Sequence, residues 1–272
     1  MKFFIILLSV HFGVVATKGT DRTFIGSTPA ASDVRNFLQI PLADSIDFIR
    51  WKIVLSENSY QLNCNYGIGK PNTNGFINGG KTITLKGTLN KEKDVYELLN
   101  GQRSLMMVSL NDDLFHLLDK NKKLLIGNGG WSYTLNNASP KHLSVLNFTS
   151  DKAIARDSMV FDGRTPCGVP GIVEQGKNCY KLKWRITLYP KAGNEIAKCK
   201  ILGTRMRPYG KTGKWNIVNA KNGKVVYEIS DDDGKPLLHL LKLDENVLAF
   251  IDSDGKLLVG NEDFSYTLNR VK

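Results

Sequence analysis

The sequence is poor in the patterns that mark enzymes and membrane spans. Beyond the first 16 residues, no apolar run approaches the ~18 residues of a spanning helix, so no transmembrane segment is expected. The Gly-x-Ser-x-Gly elbow, the His-Glu-x-x-His zinc motif and the phosphate-binding loop are absent. We therefore expect a non-enzymatic protein with no catalytic residue and no cofactor. Two acids brought together by folding could still form a hydrolase site, which sequence does not exclude.

Histidine is scarce as well, and its spacing does not suggest a metal site. His116, His142 and His239 share no i,i+2 or i,i+4 spacing with one another or with a cysteine. A metal cluster would have to be assembled by folding, and ordinary surface or half-buried histidines are the simpler interpretation. No metal is expected.

Only four cysteines occur in the 272 residues: Cys64, Cys167, Cys179 and Cys199. Export to an oxidising compartment would favour disulfides. Cys167 and Cys179 enclose a loop rich in Gly and Pro, "GVPGIVEQGKN", and are the predicted disulfide. A Cys179–Cys199 bond is the main alternative. Cys64 and Cys199 are buried thiols if each lies inside its own copy of the repeat described below.

The N-terminus of the chain has the pattern of an export signal. Its N-terminus, "MKFFIILLSVHFGVVATKG", has one Lys, an apolar run and small residues at Val14 and Ala16, which is typical of a signal peptide over residues 1–16. No cysteine lies at the cleavage point, so we expect a periplasmic or secreted protein without an N-terminal lipid anchor. The formal charge of +11 could favour an anionic surface, such as lipid head groups or acidic glycan. Because Lys and Arg are spread along the chain, a solvated basic surface is the simpler interpretation, and no nucleic acid is expected.

The chain also repeats itself. "LLIGNGGWSYTLN" (residues 124–136) and "LLVGNEDFSYTLN" (257–269) are identical at nine of thirteen positions. At the same offset of about 133 residues, "FIRWKIVLS" (48–56) aligns with "KLKWRITLY" (181–189). The alignment predicts two copies, at 21–137 and 158–272. Residues 138–157 between them are a linker or add a short strand.

Each copy alternates apolar and polar residues with a period of two, which predicts β-strands. Inward positions in the second copy are Leu182, Trp184, Ile186 and Leu188, and helical periodicity is absent. About eight strand-like runs per copy, separated by Asn-Gly and Asp-Gly turns, favour an all-β protein of two tandem, small, antiparallel, lipocalin-like barrels. Trp51 and Trp184 are predicted core residues.

The outward positions of the same strand provide the candidate binding surface, which consists of Lys181, Lys183 and Arg185. The repeated ending is interpreted as the closing hairpin of each barrel, with Tyr133, Leu135, Tyr266 and Leu268 inward. The copies differ at "TPCGVPGI" (165–172) and "STPAAS" (27–32), and we expect the functional difference there.

The second copy resembles the N-terminal domain of NlpE, an envelope lipoprotein family associated with copper resistance and surface-stress signalling. The resemblance rests on the order of "MVFDGRTPCGVPGI" (159–172), "YKLKWRITLY" (180–189), a Gly-Lys-Trp strand at 213–215 and the ending "LLKLDENVLAFIDSDGKLLVGNEDFSYTLNR" (240–270). It implies a lipocalin-like barrel and, more weakly through the repeat, covers the first copy. The family's Cys-x-x-Cys is incomplete, because Pro170 stands three residues after Cys167.

The predicted function is therefore a non-enzymatic exported protein whose duplicated barrels bind an unidentified small ligand or an envelope protein. The resemblance implies copper handling or envelope-stress sensing as the alternative. Without the second cysteine, a soft-metal chelate or a dithiol switch has only one of its two thiols at that place. A hydrolase with an unrecognised site is the second alternative.

Overall fold

The computed structural model describes residues 21–142, 148–153, 158–170, 172, 179–190, 196–204, 209–220 and 223–271. The predicted signal peptide, residues 1–16, lies outside the described residues. The described chain forms two closed, eight-stranded antiparallel β-barrels in tandem, which confirms the predicted fold class. None of the helices in this part of the chain has the length and apolar composition needed to cross a membrane.

The first barrel is a meander in which each strand pairs with the next one in sequence and β8 closes onto β1. Its strands are β1 (Arg22–Thr28), β2 (Phe48–Leu55), β3 (Ser59–Gly67), β4 (Lys81–Glu92), β5 (Val95–Asn100), β6 (Arg103–Asn111), β7 (Leu114–Leu117) and β8 (Thr134–Asn137). A short 3-10 helix, Ile77–Gly79, precedes β4.

A helix that the sequence did not predict packs one face against the core of this barrel. Helix α1 (Ser32–Leu38) follows β1 and buries Val34, Phe37 and Leu38 in the barrel core. The sequence shows no convincing helical periodicity, and this short helix is a local exception within the predicted all-β fold. Seven residues are fewer than the window over which a 3.6-residue period is recognised, so the pattern carried no helical signal.

The second barrel has the same meander: each strand from β10 to β17 pairs with the next one in sequence, including β12 with β13, and β17 closes onto β10. Its strands are β10 (Met159–Thr165), β11 (Leu182–Leu188), β12 (Lys198–Gly203), β13 (Lys211–Ala220), β14 (Val225–Ser230), β15 (Pro236–Lys242), β16 (Val247–Ile251) and β17 (Thr267–Arg270). Strand β9 (Phe148–Ala153), within the segment predicted to be a linker or a short strand, pairs with β13 beyond the end of β12.

The predicted inward residues fill both barrels. Trp51 and Trp184 are buried, and each donates its indole N–H to a threonine, Thr28 at 2.8 Å and Thr165 at 2.9 Å. Each threonine hydroxyl in turn donates to the carbonyl of the next residue, a proline. The shared Thr-Pro of the two copies is therefore a core element that gives the buried indole N–H its partner, as buried polar groups require.

The outer faces of β7 and β16 are buried too, which alternation alone would not predict. In β7 all four residues are buried, and in β16 all five. Leu114 of the first barrel packs in one apolar cluster with Val226, Leu241 and Ala249 of the second. The two barrels thus pack outer face against outer face and bury additional apolar surface, which favours their association.

Candidate functional site

The repeated ending joins the two barrels to each other. Asn136 accepts the Gly260 N–H at 2.8 Å and donates to the Asn261 carbonyl at 3.0 Å. At the equivalent position, Asn269 accepts the Gly127 N–H at 2.7 Å. The last strand of each barrel therefore holds the irregular segment before the last strand of the other barrel. This gives the contact an approximate two-fold relation.

This reciprocal contact explains the repeated Gly-Asn. A Cβ atom on Gly127 would lie 2.7 Å from the Asn269 amide nitrogen, and one on Gly260 would lie 2.9 Å from the Asn136 amide oxygen. Glycine is required first by the backbone of the same barrel, because a Cβ atom would lie 2.2 Å from the Trp131 or the Phe264 carbonyl oxygen, and the close approach of the other barrel adds to this requirement. The following Asn128 accepts the N–H groups of Gly130 and Trp131, and thereby fixes the turn. The ending closes each barrel as predicted, with Tyr133, Leu135, Tyr266 and Leu268 buried, and it also connects the barrels.

The turns of the two repeated endings differ most at two positions, and these two residues determine the charge of the contact. In the second copy they are Glu262 and Asp263. Asp263 forms an ion pair with Arg50 of the first barrel at 2.6 Å, and the Glu262 carbonyl accepts the Ser27 hydroxyl at 2.7 Å. Ser27 and Arg50 are cross-strand partners on β1 and β2. On this side of the contact, one cation of one barrel meets one acid of the other.

On the opposite side the corresponding turn residues are Gly129 and Gly130, which carry no charge. They face Asp162 and Arg164 of β10, with the Gly130 Cβ position 3.6 Å from the guanidinium carbon. Arg164 lies over the Trp131 ring at 5.4 Å and is the cross-strand partner of Lys183. Two cations therefore stand side by side where the first barrel has a serine and an arginine.

Lys181 completes this group of charges. Its ammonium lies 5.3 Å from the Tyr180 ring centre and 5.5 Å from that of Phe264. Partial burial, followed by the positive charges of Arg164 and Lys183, lowers the pKa of Lys181. We call Arg164, Lys181, Lys183, Trp131 and Tyr180 the cationic patch.

The three predicted surface cations thus have different environments. Lys181 and Lys183 belong to the cationic patch. Arg185 forms a two-point ion pair with Asp162, with distances of 2.8 and 2.6 Å, and its charge is neutralised. Among the described residues, Arg164, Lys181 and Lys183 make no ion pair with a carboxylate. Arg164 was missed by the sequence analysis, although the replacement of Ser27 by Arg164 between the copies was a readable signal.

Stacked aromatic rings of the first barrel pack beside the cationic patch. Phe48 stacks between Phe76, at 4.3 Å, and Trp131, at 4.6 Å. Trp131 is only half-buried and Tyr180 is 55% exposed, so planar apolar surface is available beside the charges. The patch therefore offers both cations and ring faces to a partner.

The cysteines follow the prediction. Cys167 and Cys179 form the disulfide, and Cys64 and Cys199 are buried free thiols. The Tyr266 hydroxyl donates to the Cys167 carbonyl at 2.7 Å, so the disulfide loop is joined to the closing strand. In the described part of the chain, no group of three His, Cys, Asp or Glu side chains is arranged to hold a metal ion.

His116 is buried between the barrels, where a surface or half-buried position was expected. Its Nε2 lies 2.8 Å from the Leu125 carbonyl and its Nδ1 lies 2.9 Å from the Thr134 hydroxyl. A carbonyl can only accept, so Nε2 carries the proton and Nδ1 accepts from Thr134. Burial lowers the pKa of the imidazole to about 4, which keeps it neutral at pH 7. The histidine is a structural member of the interface.

Comparison of the chain with protein-family models, curated proteins and solved structures finds no match.

Proposed function

We propose that the chain is a non-enzymatic binding protein that recognises an anionic partner through the cationic patch at the junction of its two barrels. The observation that carries the proposal is the pair Arg164 and Lys183, which stand opposite each other and form no ion pair among the described residues, because the nearby Asp162 is paired with Arg185. Like charges directly opposite on neighbouring strands are destabilising. An anion placed over them would remove this repulsion.

The first barrel provides an internal comparison. Its equivalent pair is Ser27 and Arg50, and the second barrel supplies Asp263 as a counter-charge. The equivalent pair in the second barrel, Arg164 and Lys183, has one cation more. The turn that faces it has the uncharged Gly130 at the position of Asp263. The duplicated architecture thus has one neutralised position and one open to an external anion.

The spacing of the cations indicates the kind of partner. Arg164 and Lys183 are cross-strand neighbours, about 5 Å apart at Cβ, and Lys181 lies two residues along the strand, about 7 Å from Lys183. Carboxylate, sulfate or phosphate groups repeated at such intervals match this arrangement. The ring faces of Trp131 and Tyr180 supply apolar contact beside them.

Export and family membership form part of the same proposal. The signal-like N-terminus supports a periplasmic or secreted location, where acidic glycans and lipid head groups are accessible partners. The resemblance of the second barrel to the NlpE N-terminal domain supports an envelope role. Copper handling is the weaker alternative, because the thiol of Cys167 is already engaged with Cys179.

The test is retention on immobilised heparin, a sulfated polysaccharide, measured as the salt concentration that elutes the protein. We expect Gly130→Asp to elute at lower salt, because its Cβ atom would lie 3.6 Å from the Arg164 guanidinium carbon and its carboxylate would therefore reach that cation. Arg164→Gln with Lys183→Gln is expected to act in the same direction. Vesicles containing anionic phospholipid, used in a sedimentation assay, distinguish a lipid source of the anion from a glycan source.

The matched control removes the same number of charges elsewhere. Lys86, on β4, and Lys120, in the turn after β7, are exposed, and the double change to Gln lowers the net charge by two. Retention of this variant close to wild type supports a localised site. Equal loss in both double variants would mean that only overall charge matters, and would contradict the proposal.

A further inference from the structure

A short hairpin at one end of the first barrel exposes a pair of aliphatic side chains. Residues 68–77 lie in the connection between β3 and β4, where Gly69 and Phe76 form an antiparallel bridge. Ile68 and Ile77 are the next pair in this register, and the Ile77 N–H donates to the Ile68 carbonyl at 2.9 Å. The two residues are 45% and 44% exposed. The hairpin therefore presents two neighbouring isoleucines to solvent.

The alternation of side chains along the hairpin explains this exposure. Successive residues of an extended chain point to opposite faces. Phe76 points to the barrel, where it is buried and stacks on Phe48 at 4.3 Å. Alternation places Ile68 and Ile77 on the other face, together with Lys70, which is exposed and forms no ion pair among the described residues. The outer face of the hairpin thus combines aliphatic surface with a cation.

The hairpin is continuous with the cationic patch. Phe48, on which the hairpin packs, also stacks on Trp131, and Arg164 lies over the Trp131 ring. The side chain of Asn74, in the turn of the hairpin, donates to the carboxylate of Asp263 in the second barrel. A row of rings therefore leads from the hairpin to the cations, and contacts across the junction hold the two parts together.

A third exposed aliphatic side chain lies at the same end of the first barrel. Leu42 is 71% exposed in the β1–β2 connection, which a meander places at the same end as the β3–β4 connection. The two connections are bound to each other, because Asp47 accepts the Gly69 N–H at 2.7 Å and Asp44 pairs with Lys81 at 2.8 Å. These two carboxylates therefore already have partners. We call the following residues the aliphatic tip: Leu42, Ile68, Ile77 and Lys70.

We propose that the aliphatic tip and the cationic patch together bind the surface of a membrane that contains anionic phospholipid, an inference that rests on the proposed function of the patch. The cations contact the phosphate head groups, and the tip enters the outer edge of the acyl chains. Glu262, next to Asp263 in the junction, is an exposed acid, and the cations outnumber it. Four cations of this surface make no ion pair with a carboxylate among the described residues: Lys70, Arg164, Lys181 and Lys183.

The exposed aliphatic side chains favour a lipid surface over the other anionic partners. A sulfated or acidic glycan offers charge but no apolar phase, whereas the edge of a bilayer accepts cations and apolar side chains side by side. Trp131 and Tyr180 suit this boundary, because each combines an apolar ring with a polar group. A stable protein interface buries about 800 Å² on each partner. Three separate aliphatic side chains are few for such an interface and are sufficient for shallow insertion.

Binding is tested by sedimentation with vesicles of phosphatidylcholine alone and of phosphatidylcholine mixed with phosphatidylglycerol. The wild-type protein is expected to sediment with the mixed vesicles. Ile68→Ser with Ile77→Ser should lower the partition coefficient roughly tenfold, which corresponds to about 60 Å² of inserted apolar surface at about 25 cal/mol per Å². The matched control is Ile196→Ser with Val271→Ser, which removes two exposed aliphatic side chains at the opposite end of the second barrel and should leave the partition coefficient unchanged.

Retention on heparin separates this inference from the proposed function. The Ile68→Ser, Ile77→Ser variant keeps every cation and should elute at the salt concentration of wild type. If wild type is retained on heparin through Arg164 and Lys183 but does not sediment with the mixed vesicles, membrane binding is overturned and the proposed function stands, with a glycan or an acidic protein as the partner. Failure of wild type to bind either heparin or the mixed vesicles would contradict both.

The fluorescence of Trp131 provides a second measurement that needs no change in the tip. Trp51, Trp184 and Trp215 are buried, whereas Trp131 is half-buried beside the cationic patch. Phospholipid brominated on the upper part of its acyl chain should quench the fluorescence of wild type, and Trp131→Phe should remove most of this quenching at vesicle concentrations that bind both proteins. Absence of quenching, equal binding to vesicles without phosphatidylglycerol, or undiminished binding of the double isoleucine variant would each overturn the proposal.

Discussion

Removal of the Asn136 side chain tests whether the two barrels stabilise each other through the repeated ending. Asn136 is fully buried and makes two hydrogen bonds to the other barrel, from the Gly260 N–H at 2.8 Å and to the Asn261 carbonyl at 3.0 Å. Asn136→Ala leaves both backbone groups without these partners. Gly260 and Asn261 are more than 120 residues from Asn136 in sequence and belong to the other barrel, so the change acts on the contact between the copies.

The magnitude follows from the number of groups left unpaired. A buried donor or acceptor without a partner costs about 1–3 kcal/mol. Gly260 is only partly buried, so water compensates for part of the loss. We expect Asn136→Ala to lower the free energy of unfolding by about 2–3 kcal/mol, and Asn269→Ala, which removes the single bond from Gly127, by about 1–2 kcal/mol. The two changes lie in one contact and are not expected to be additive.

Urea unfolding followed by tryptophan fluorescence and far-UV circular dichroism measures these effects. If the barrels lose their mutual support, the two signals should separate into distinct transitions, which a two-state chain does not show. Asn63→Ala, at an exposed position of β3, is the matched control and should cost less than about 0.5 kcal/mol. An Asn136→Ala variant no less stable than Asn63→Ala would refute the role assigned to the repeated ending.

Three further predictions concern the core and the interface. The pKa of His116 is about 6.5 in the unfolded chain and about 4 in the folded protein, so the unfolded chain takes up the proton first and the free energy of unfolding falls by about 3 kcal/mol as the pH drops from 6.5 to below 4. In urea titrations at several pH values, His116→Gln should reduce this dependence of stability on pH, and an unchanged dependence would contradict the prediction. Thr165→Val deprives the Trp184 indole N–H of its partner and should cost about 1–2 kcal/mol in thermal unfolding, with Thr165→Ser largely restoring stability; equal losses in both would point to packing instead. Replacing Cys167 and Cys179 by Ala should cost about 2–4 kcal/mol, and the same change measured under reducing conditions should have no effect; a persistent loss there would assign the cost to side-chain packing.

Much of each barrel could be predicted because the relevant forces are local. Alternation at Ile49, Trp51, Ile53 and Leu55 reports which face of a strand is apolar, and β2 buries all four residues. The disulfide could be predicted because Cys167 and Cys179 flank a short loop. Helix α1 could not, since its apolar residues make a single turn that does not repeat.

The candidate site was predicted only in part, and the reason is again physical. Lys181, Lys183 and Arg185 are equivalent in a strand pattern, yet Asp162 neutralises one of them and Arg164 stands opposite another. Which partner a surface charge meets depends on register and on the neighbouring barrel. Local sequence does not encode either in an obvious way.

The sequence by itself determined that the chain is duplicated, that each copy is a closed antiparallel barrel and which residues fill it, because strand alternation and turn chemistry act over a few residues. Only the tertiary structure decided how the copies meet. Strand β16 is apolar on both faces in sequence, and β7 carries Leu114 on its outer face, but nothing local states what covers these faces. The repeated ending closes its own barrel through neighbouring residues and binds the other barrel through residues more than 120 positions away. The difference between Gly129-Gly130 and Glu262-Asp263 affects the charge of the contact only because the two barrels meet there.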